Sequence, residues 1–230
     1  MVWDDVTHVL SAPSRWEQDE WQTAGWTSLA VVGTVALIDK PVRDYMVKQD
    51  QSNKFWLNAD KFGREYAFGT LGVFFVAGLL GDETSMQVTQ DVVAASIISS
   101  AIIGVSVKTV VGRSRPLANR GTTHFAPFSD SNSSFFSGHS TQAFTLAAVI
   151  SESYHETWID VAAYGTATLV AIGRTYHDKH FASDVLAGAV VGTLVGKSVV
   201  AHNKELRGNT LSITPAISPD MVGVQFSGKF

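Results

Sequence analysis

Six apolar segments separated by polar connectors constrain the fold of this 230-residue chain more than any other feature. Each segment is 12 to 17 residues long, which exceeds the usual length of a strand and fits a helix. Such segments are stable when they bury their apolar sides against one another around one core. We therefore predict an all-α fold, a bundle of about six core helices plus shorter ones. The segments cover approximately residues 25–38, 66–80, 92–107, 140–151, 158–172 and 185–201.

The polar stretches between these segments predict short helices and connectors. A helix is expected at about 14–24 and another at about 39–49, whereas 81–90 has the composition of a polar connector. The stretch from Leu117 to Phe136 is polar and rich in serine, which is typical of a loop. Because this loop joins two of the candidate site clusters described below, we expect it to border the pocket.

The chain changes character after Arg207. Apolar and polar residues alternate there on both sides of a turn signal at Ser218-Pro219-Asp220. This period of two predicts a small C-terminal β-hairpin, with an extended tail as the alternative. The expected organisation is thus a helical domain at 1–207 followed by a hairpin or tail at 208–230.

The lengths of the apolar segments bear on whether the chain crosses a membrane. Spanning requires roughly 20 mostly apolar residues, and every segment here is shorter. The mean hydropathy of +0.11 is also low for a chain embedded in lipid. The pattern therefore favours buried helices of a globular bundle that is soluble or touches a membrane surface. Six spanning helices are the alternative.

Composition excludes several classes of function. The net charge is −4 and no basic stripe is present, which argues against a nucleic-acid partner. The chain has no cysteine, and so it has no disulfide framework, thiolate metal site or cysteine nucleophile. The first residues, Met1-Val2-Trp3-Asp4-Asp5, lack the basic start and apolar core of a signal peptide. Nothing in the sequence predicts an oligomeric state.

Candidate catalytic residues concentrate in the twelve residues from Gly173 to Asp184. Their charges lie between two apolar segments, where charge is costly unless it is used or solvated. If the next helix begins near Phe181, His180 and Asp184 stand four apart and share a face. The carboxylate can then hold one imidazole nitrogen as N–H and leave the lone pair of the other free, which makes a histidine a nucleophile or a base.

Two upstream clusters complete the candidate site. Lys108 and Arg115 lie seven residues apart, close to two helical turns, so that both cations can point the same way. Ser137-Gly138-His139 opens an apolar, helix-periodic run, and a helix start with a glycine lets backbone N–H groups approach an anion. Three cations, an anion-binding helix start and two histidines suit phosphoryl transfer, in which catalysis is mostly positioning and charge neutralisation.

At these residues the chain resembles the type 2 phosphatidic acid phosphatase and vanadium haloperoxidase superfamily. The family pattern is K-x6-R-P, then P-S-G-H, then S-R-x5-H-x3-D. This chain matches its order and internal spacings, except that Phe136 replaces the proline and Gly173 replaces the serine. The first change affects the turn into the helix, and the second removes one candidate hydrogen bond to phosphate. The matching residues are Lys108-x6-Arg115-Pro116, Ser137-Gly138-His139 and Arg174-x5-His180-x3-Asp184.

The resemblance implies a metal-independent phosphomonoesterase without a cofactor. In that family His180 would attack phosphorus, Asp184 would support its imidazole, and His139 would act as general acid and base. The phosphate would be bound by Lys108, Arg115, Ser137, Gly138 and Arg174.

The substrate is left open, because the motifs contact only the phosphoryl group. Lipid phosphates, polyprenyl diphosphates, sugar phosphates and general acid-phosphatase substrates all fit. The resemblance also implies a periplasmic or membrane-associated protein whose active site faces the periplasm. Two alternatives are a vanadate-dependent haloperoxidase and a non-catalytic, membrane-associated protein that only binds phosphate groups.

Other polar residues near the motifs are weaker candidates. Arg113, two residues before Arg115, is expected to be a solvated charge. His177 competes with His180 but lacks a carboxylate three or four residues later. His124 is a candidate substrate contact from the loop. No pair of histidines or carboxylates has a recognisable metal-ligand spacing.

Overall fold

The computed structural model describes residues 2–62, 65–128, 133–208, 212–218 and 221–227, with no side chains described at 60–62, at 66 or after 208. Within these ranges the chain forms ten α-helices. They are α1 (Val2–Ser11), α2 (Gln18–Leu37), α3 (Asp39–Met46), α4 (Lys54–Phe62), α5 (Glu65–Leu79), α6 (Glu83–Ser96), α7 (Val105–Val111), α8 (Gly138–Tyr154), α9 (Thr157–Tyr176) and α10 (Ala182–Gly208). Two 3-10 turns (Ala12–Arg15 and Pro116–Ala118) and a π-helical segment that joins α6 to α7 (Ile97–Gly104) complete the helical part.

All six predicted apolar segments are helical. The helices are longer than the apolar runs in every case except α5, whose 15 residues equal the predicted run. The polar connector expected at 81–90 is wrong, since α6 already begins at Glu83. Asp82 caps this helix, because its carboxylate accepts hydrogen bonds from Thr84 N at 3.2 Å and from Ser85 Oγ at 2.5 Å. The segment from Glu83 to Val111 therefore continues for 29 residues, long enough to cross a membrane.

The packing of α8 against α10 positions the site, and it depends on two of the glycines in α10. A Cβ atom on Gly188 would lie 2.7 Å from the carbonyl oxygen of Ser137, and one on Gly192 would lie 2.3 Å from that of Thr141. Small residues four apart let two helix backbones approach closely. The close approach brings the start of α8 next to the start of α10.

The main apolar core lies toward the opposite end of these helices. It includes Val92 and Ile98 near the middle of the α6–α7 segment, Val149 of α8 and Val199 of α10, all fully buried. A smaller cluster between α8 and α9 contains Ala147 and other small residues. The end with the site is thus held mainly by polar contacts.

Large apolar side chains cover the outside of several helices. No residue of α2 is buried, and Trp26, Leu29 and Val32 on this helix are exposed. The outward side of α5 likewise exposes Phe68 and Val73. The expectation of helices buried within a globular bundle is therefore wrong for α2. Exposed apolar surfaces of this size are typical of contact with a membrane or with another protein.

The expected fold class needs one correction, which concerns the C-terminal hairpin. The chain is all-α as predicted, but the hairpin is not a component of that fold. A strand at Ser212–Ser218 pairs antiparallel with one at Met221–Ser227, and in the described part of the chain neither strand packs substantially on a helix. Because an isolated two-stranded hairpin is at best marginally stable in water, the fold consists of the helices alone.

Candidate active site

The three clusters singled out in the sequence meet at one end of the bundle. Lys108 lies in the last turn of α7, Ser137 directly precedes α8, and His180 lies in the turn before α10. Hydrogen bonds join the clusters. Lys108 Nζ donates to the carbonyl oxygen of Phe136, and Ser137 N donates to that of Asp184 at 3.0 Å.

Lys108 and Arg115 converge on one residue at the end of the polar loop. Lys108 Nζ donates to the carbonyl oxygen of Ser133 at 3.0 Å, and Arg115 Nη2 donates to its hydroxyl at 3.3 Å. The convergence does not arise from helical periodicity, as the spacing predicted, because α7 ends at Val111. A turn after the helix redirects the chain instead.

Glycine is required at that turn. Gly112 ends α7 with φ at +56°, and a Cβ atom there would lie 1.9 Å from the carbonyl oxygen of Ala126. The loop returns against this point, since Ala126 N donates to Gly112 O at 2.8 Å and Phe128 N donates to Thr109 O at 2.7 Å. The loop thereby reaches the end of α7, and the expectation that it borders the site is confirmed.

His180 is held in one tautomer by the backbone of the same loop. Its side chain is buried, and Nδ1 lies 2.9 Å from the carbonyl oxygen of Ser134. A carbonyl oxygen can only accept, so Nδ1 carries the proton and Nε2 keeps a lone pair. The sequence assigned this role to Asp184, whose Oδ2 lies 3.7 Å from Nδ1, longer than a hydrogen bond.

Asp184 is nevertheless fixed beside the imidazole. Its Oδ2 accepts hydrogen bonds from Ser134 Oγ at 2.5 Å and from Phe181 N at 2.9 Å. Its Oδ1 accepts one from Arg113 Nη1 at 2.6 Å. The predicted placement of His180 and Asp184 on the same side is confirmed, and α10 begins at Ala182, close to the expected position.

The electrostatics of the site favour a neutral His180 and an anion beside the cations. Burial is the main cause that lowers the pKa of His180 to about 4, and the charges of Arg174 and Lys108 act in the same direction. Burial also lowers the pKa of Arg115, helped by the charge of Arg174. Mutual influence of this kind requires the cations to be close together, which is unfavourable until an anion binds between them.

The start of α8 offers a helix N-terminus with space beside it. Ser137 is the N-cap, and its hydroxyl oxygen accepts from Ser140 N at 3.4 Å. A Cβ atom on Gly138 would contact nothing within 4 Å, so its backbone is open to a ligand. His139 follows in the first turn, is half-buried, and lines a cavity of about 440 Å³.

Arg174 and His180 are held by a shared backbone contact. Arg174 lies in the last turn of α9 and is buried. Its carbonyl oxygen accepts hydrogen bonds from Lys179 N at 3.1 Å and from His180 N at 3.3 Å. The turn that ends α9 therefore fixes the arginine and the histidine together.

The weaker candidates lie at the edge of this arrangement. His177 is the C-cap of α9 and packs edge-on against Tyr176, while His124 Nδ1 lies 2.9 Å from Ser114 Oγ. In the described ranges, no three His, Cys, Asp or Glu side chains are arranged to hold a metal ion.

Two residues that the sequence did not identify contribute to the site. Arg113 is 1% exposed, so the prediction of a solvated charge is wrong. Ser134 supplies its carbonyl oxygen to His180 and its hydroxyl to Asp184. The only signal for Arg113 was its position beside Arg115, and the serine-rich loop contained no signal that distinguished Ser134 from its neighbours.

Comparisons with known proteins find a curated relative of this chain. A lipid A 1-phosphatase from Porphyromonas gingivalis is 37% identical over 86 residues, which cover 35% of this chain and 19% of the relative. The chain therefore spans only about a fifth of that relative's length.

Two solved structures share the fold. LpxE from Aquifex aeolicus has a TM-score of 0.52 at 23% identity, covering 64% of this chain and 84% of the other. The first transmembrane PAP2 type phosphatidylglycerolphosphate phosphatase from Bacillus subtilis has a TM-score of 0.58 at 20% identity, covering 78% and 95%.

The protein is membrane-associated. Two helical segments, Glu83–Val111 and Ala182–Gly208, are long and apolar enough to cross a bilayer. Exposed apolar side chains on α2 and α5 agree with this placement. The sequence model of the PAP2 superfamily matches residues 92–206, which is half of the chain. This range includes all three clusters of the site. The chain belongs to the PAP2 superfamily.

Proposed function

We propose that this protein is a phosphatase that hydrolyses lipid phosphate monoesters through a covalent phosphohistidine on His180. The observation that carries the proposal is the state of that imidazole. It is buried and neutral, its Nδ1 proton is committed to the Ser134 carbonyl, and its Nε2 lone pair lies in a site that contains three cations. A neutral imidazole of fixed tautomer is the form required of a nucleophile.

Binding of the phosphoryl group uses the cations and the start of α8. Lys108, Arg115 and Arg174 neutralise the phosphoryl oxygens, and the open backbone N–H of Gly138 donates to one of them. Ser137 adds its hydroxyl proton, because its oxygen already accepts from Ser140 N.

In the first step Nε2 of His180 forms a bond to phosphorus while the ester P–O bond breaks. The electron pair of that bond moves to the leaving oxygen, which takes a proton from the imidazolium of His139. The phosphorylated imidazole is positively charged, and the Asp184 carboxylate at 3.7 Å from Nδ1 stabilises it. General acid help of this type contributes about 10²- to 10⁴-fold in rate.

In the second step water releases the phosphate. His139, now neutral, takes a proton from the water, whose oxygen bonds to phosphorus. The P–N bond breaks, its electrons return to Nε2, and the starting state is restored. The in-line geometry of both steps requires His139 and His180 on opposite sides of the phosphoryl group.

A lipid is the class of substrate that the surroundings of His139 favour. The cavity that His139 lines lies between α5, α6 and α8, and its other walls include Phe68, Leu71 and Ile97. An acyl chain attached to the leaving group would fill this apolar space, which a sugar would not. The names of the lipid A and phosphatidylglycerolphosphate phosphatases among the similar proteins agree with this choice.

We infer further that the helices span the membrane and that the site faces the periplasm. The motif residues lie at the same end of the two long segments, Glu83–Val111 and Ala182–Gly208, which places the site at one membrane face. The resemblance to the family supports the periplasmic side.

Trapping the phosphoenzyme tests the mechanism. Purified protein is mixed with substrate that is radiolabelled in the phosphate and quenched within milliseconds. We expect label on the protein that is stable in alkali and lost in acid, as for a phosphoramidate, and we expect no label on His180→Ala. Label that persists in His180→Ala would exclude His180 as the nucleophile.

A substrate panel tests the lipid preference. Phosphatidic acid and phosphatidylglycerol phosphate should be hydrolysed with a kcat/KM at least 10² above that of glucose 6-phosphate, since roughly 3 kcal/mol of acyl-chain burial becomes available. Leu71→Trp, which places a larger side chain at the cavity wall, should lower kcat/KM for the lipids and leave p-nitrophenyl phosphate unaffected. Equal kcat/KM values for lipids and sugar phosphates would contradict the assignment.

Thiol labelling tests the orientation. The chain has no cysteine, so single cysteines can be introduced without background. Leu117 is exposed beside the site and Leu206 is exposed at the opposite end of α10. In intact cells an impermeant maleimide should modify Leu117→Cys and spare Leu206→Cys. The reverse pattern would place the site in the cytoplasm.

A further inference from the structure

Arg113 connects two buried carboxylates. Its Nη1 donates to Asp184 Oδ1 at 2.6 Å and its Nη2 donates to Asp39 Oδ2 at 2.7 Å. The side chains of all three residues are completely buried. One cation between two carboxylates is costly to bury, and such a group is stable only when further hydrogen bonds satisfy its atoms.

Further hydrogen bonds are present on the guanidinium. Arg113 Nε donates to the carbonyl oxygen of Thr122 at 3.1 Å, and Nη1 also donates to Ser183 Oγ at 2.7 Å. The guanidinium lies over the ring of Phe181, with its carbon atom 4.3 Å from the ring centre. Arg113 is therefore held in one orientation by residues on three sides.

Asp39 holds the start of α10 from a distant part of the chain. Its Oδ1 accepts from Ser183 N at 2.8 Å and its Oδ2 accepts from Ser183 Oγ at 2.6 Å. A carboxylate at this position satisfies a free N–H group at the helix start and interacts favourably with the helix dipole. Asp39 belongs to α3, so this contact bridges a separation of 144 residues.

The other end of this chain of contacts is His180. Asp184 faces its Nδ1 at 3.7 Å, and the further charges that act on this imidazole are those of Arg174 and Lys108. Asp184 can stabilise positive charge on the imidazole only to the extent that Arg113 does not already balance it. The balance between Arg113 and its two carboxylates therefore determines how much negative charge His180 experiences.

We propose that Arg113 and Asp39 are positioning residues for His180, which orient Asp184 and adjust the charge that it presents to the imidazole. We call Arg113 with Asp39 and Asp184 the Arg113 bridge. The inference rests on the proposed nucleophilic role of His180. It adds two residues to the candidate site: Arg113, which lies two residues before Arg115, and Asp39, which lies far from the three motifs in the sequence. The bridge limits the negative charge that Asp184 presents to the resting imidazole, and the Asp184 carboxylate remains near enough to stabilise the phosphorylated form.

The chain offers a matched control in a second arginine that anchors the same turn. Arg43 donates to Asp178 through Nε at 2.7 Å and through Nη2 at 2.9 Å, so it also forms a two-point contact with a carboxylate. Its described contacts are with Asp178 and Asn119, and none is with Asp184 or His180. Loss of Arg43 should loosen the turn without changing the charge at Asp184.

The test is the pH dependence of kcat/KM for p-nitrophenyl phosphate, measured with purified full-length protein at constant ionic strength. Protonation of His180 removes the nucleophile, so activity falls on the acid side. Arg113→Gln removes the positive charge but keeps a hydrogen-bond donor. The negative charge of Asp184 is then no longer balanced by Arg113, and it favours the imidazolium form of His180. The midpoint of the fall in kcat/KM at low pH, which we call the acid limb, should therefore move up by about one to two pH units relative to the wild type.

Two more variants separate charge from geometry. Asp39→Asn removes a negative charge from the bridge, and its acid limb should stay at the wild-type position or move down. Arg113→Lys keeps the charge but cannot hold both carboxylates, so its limb should stay in place while kcat falls about tenfold or more. Ionisation of the substrate is common to all variants and does not affect the differences.

The outcomes distinguish the bridge from a structural role and from the proposed function. Arg43→Gln should lower thermal stability and leave the acid limb in place. The proposal is overturned if Arg113→Gln behaves in the same way, or if Arg113→Gln and Asp39→Asn shift the limb in the same direction. If Arg113→Gln does not fold, the direction in which the acid limb shifts in Asp39→Asn and Arg113→Lys tests the proposal instead. An upward shift in either variant overturns the proposal. Trapping of label on wild-type His180 is scored separately, and its absence would refute the proposed function itself.

Discussion

The two ends of α10 differ in how their buried charges are balanced. At the C-terminal end Asp91 of α6 accepts a hydrogen bond from Asn203 Nδ2 at 2.9 Å and forms an ion pair with Arg207 Nη2 at 2.8 Å. At the N-terminal end, roughly 40 Å away, Lys108 and Arg115 donate instead to the neutral carbonyl and hydroxyl oxygens of Ser133. The C-terminal end pairs its cation with a carboxylate. At the N-terminal end Arg113 is paired in the same way, whereas Lys108 and Arg115 donate to neutral oxygens.

The difference indicates which cations are available to a substrate. A cation that already faces a carboxylate gains little from a phosphate, whereas one that donates to neutral oxygens gains a full opposite charge. By this criterion we assign Arg207 a structural role and propose that Lys108 and Arg115 bind substrate, although all three are basic residues near a helix end. Changes at the two ends should therefore have different consequences, and the four predictions below test this in order of decreasing effect.

The largest effect is expected for His139→Ala at the site end. Turnover of a lipid phosphate should fall by about 10²- to 10⁴-fold because the leaving alkoxide loses its proton donor. With p-nitrophenyl phosphate, whose leaving group needs little protonation, the variant should still label and then stall before hydrolysis. Quenched-flow measurement of the label against time checks both expectations. Failure to label with the activated substrate would require the roles of the two histidines to be exchanged.

A smaller loss of activity is expected for Asp184→Asn. In a serine-protease triad the corresponding change costs about 10⁴ because the histidine takes the wrong tautomer. Here the Ser134 carbonyl still holds the Nδ1 proton, and only the charge that stabilises the phosphorylated imidazole is lost. We expect kcat to fall by about 10²-fold, since loss of one stabilising electrostatic group costs about that much. A loss near 10⁴ would show that Asp184, and not Ser134, controls the tautomer.

At the opposite end, Asp91→Asn should affect stability and spare catalysis. The change removes the ion pair between Asp91 and Arg207, and because the Arg207 side chain is 27% exposed the expected cost is about 2 kcal/mol rather than the larger value of a fully buried pair. The midpoint of thermal unfolding in detergent should drop while kcat of the folded enzyme stays unchanged. A fall in kcat at equal folded fraction would contradict the division between the two ends.

The smallest effect is expected from chelation. The three cationic side chains that we propose bind phosphate would neutralise the phosphoryl charge, so hydrolysis of p-nitrophenyl phosphate should persist in excess EDTA. Orthovanadate, which mimics the pentacoordinate state, should inhibit it. Activity that is lost in EDTA and restored by magnesium or zinc would show that the cations at the site end do not suffice.

Much of the helical organisation was predictable because it depends on local sequence. Apolar periodicity located all six long helices, and Ser137 was identifiable as a helix start from its own position. The lengths of the helices were not predictable from hydropathy alone. Polar residues such as Glu83 form the end turns of helices, and hydropathy assigns these residues to connectors. That error made the α6–α7 segment seem too short to cross a membrane.

The grouping of the candidate site residues was predictable for a different reason. Spacings such as Arg174 to His180 and His180 to Asp184 lie within one turn and the start of one helix, so the family pattern records them directly. Their interactions were less certain. The expected hydrogen bond from His180 to Asp184 is replaced by one to the backbone of Ser134, 46 residues away, which no spacing rule indicates.

The sequence by itself determined the helices, the order of the motifs and which residue types form the candidate phosphate site. Only the tertiary structure decided which of two neighbouring arginines lies beside Lys108 in the candidate site. Arg113 turns inward to Asp39 and Asp184, across separations of 74 and 71 residues, whereas Arg115 reaches Ser133 beside Lys108. The physical reason is that burial of a charge is favourable only with a partner nearby, and partners so far apart along the chain come together only through folding.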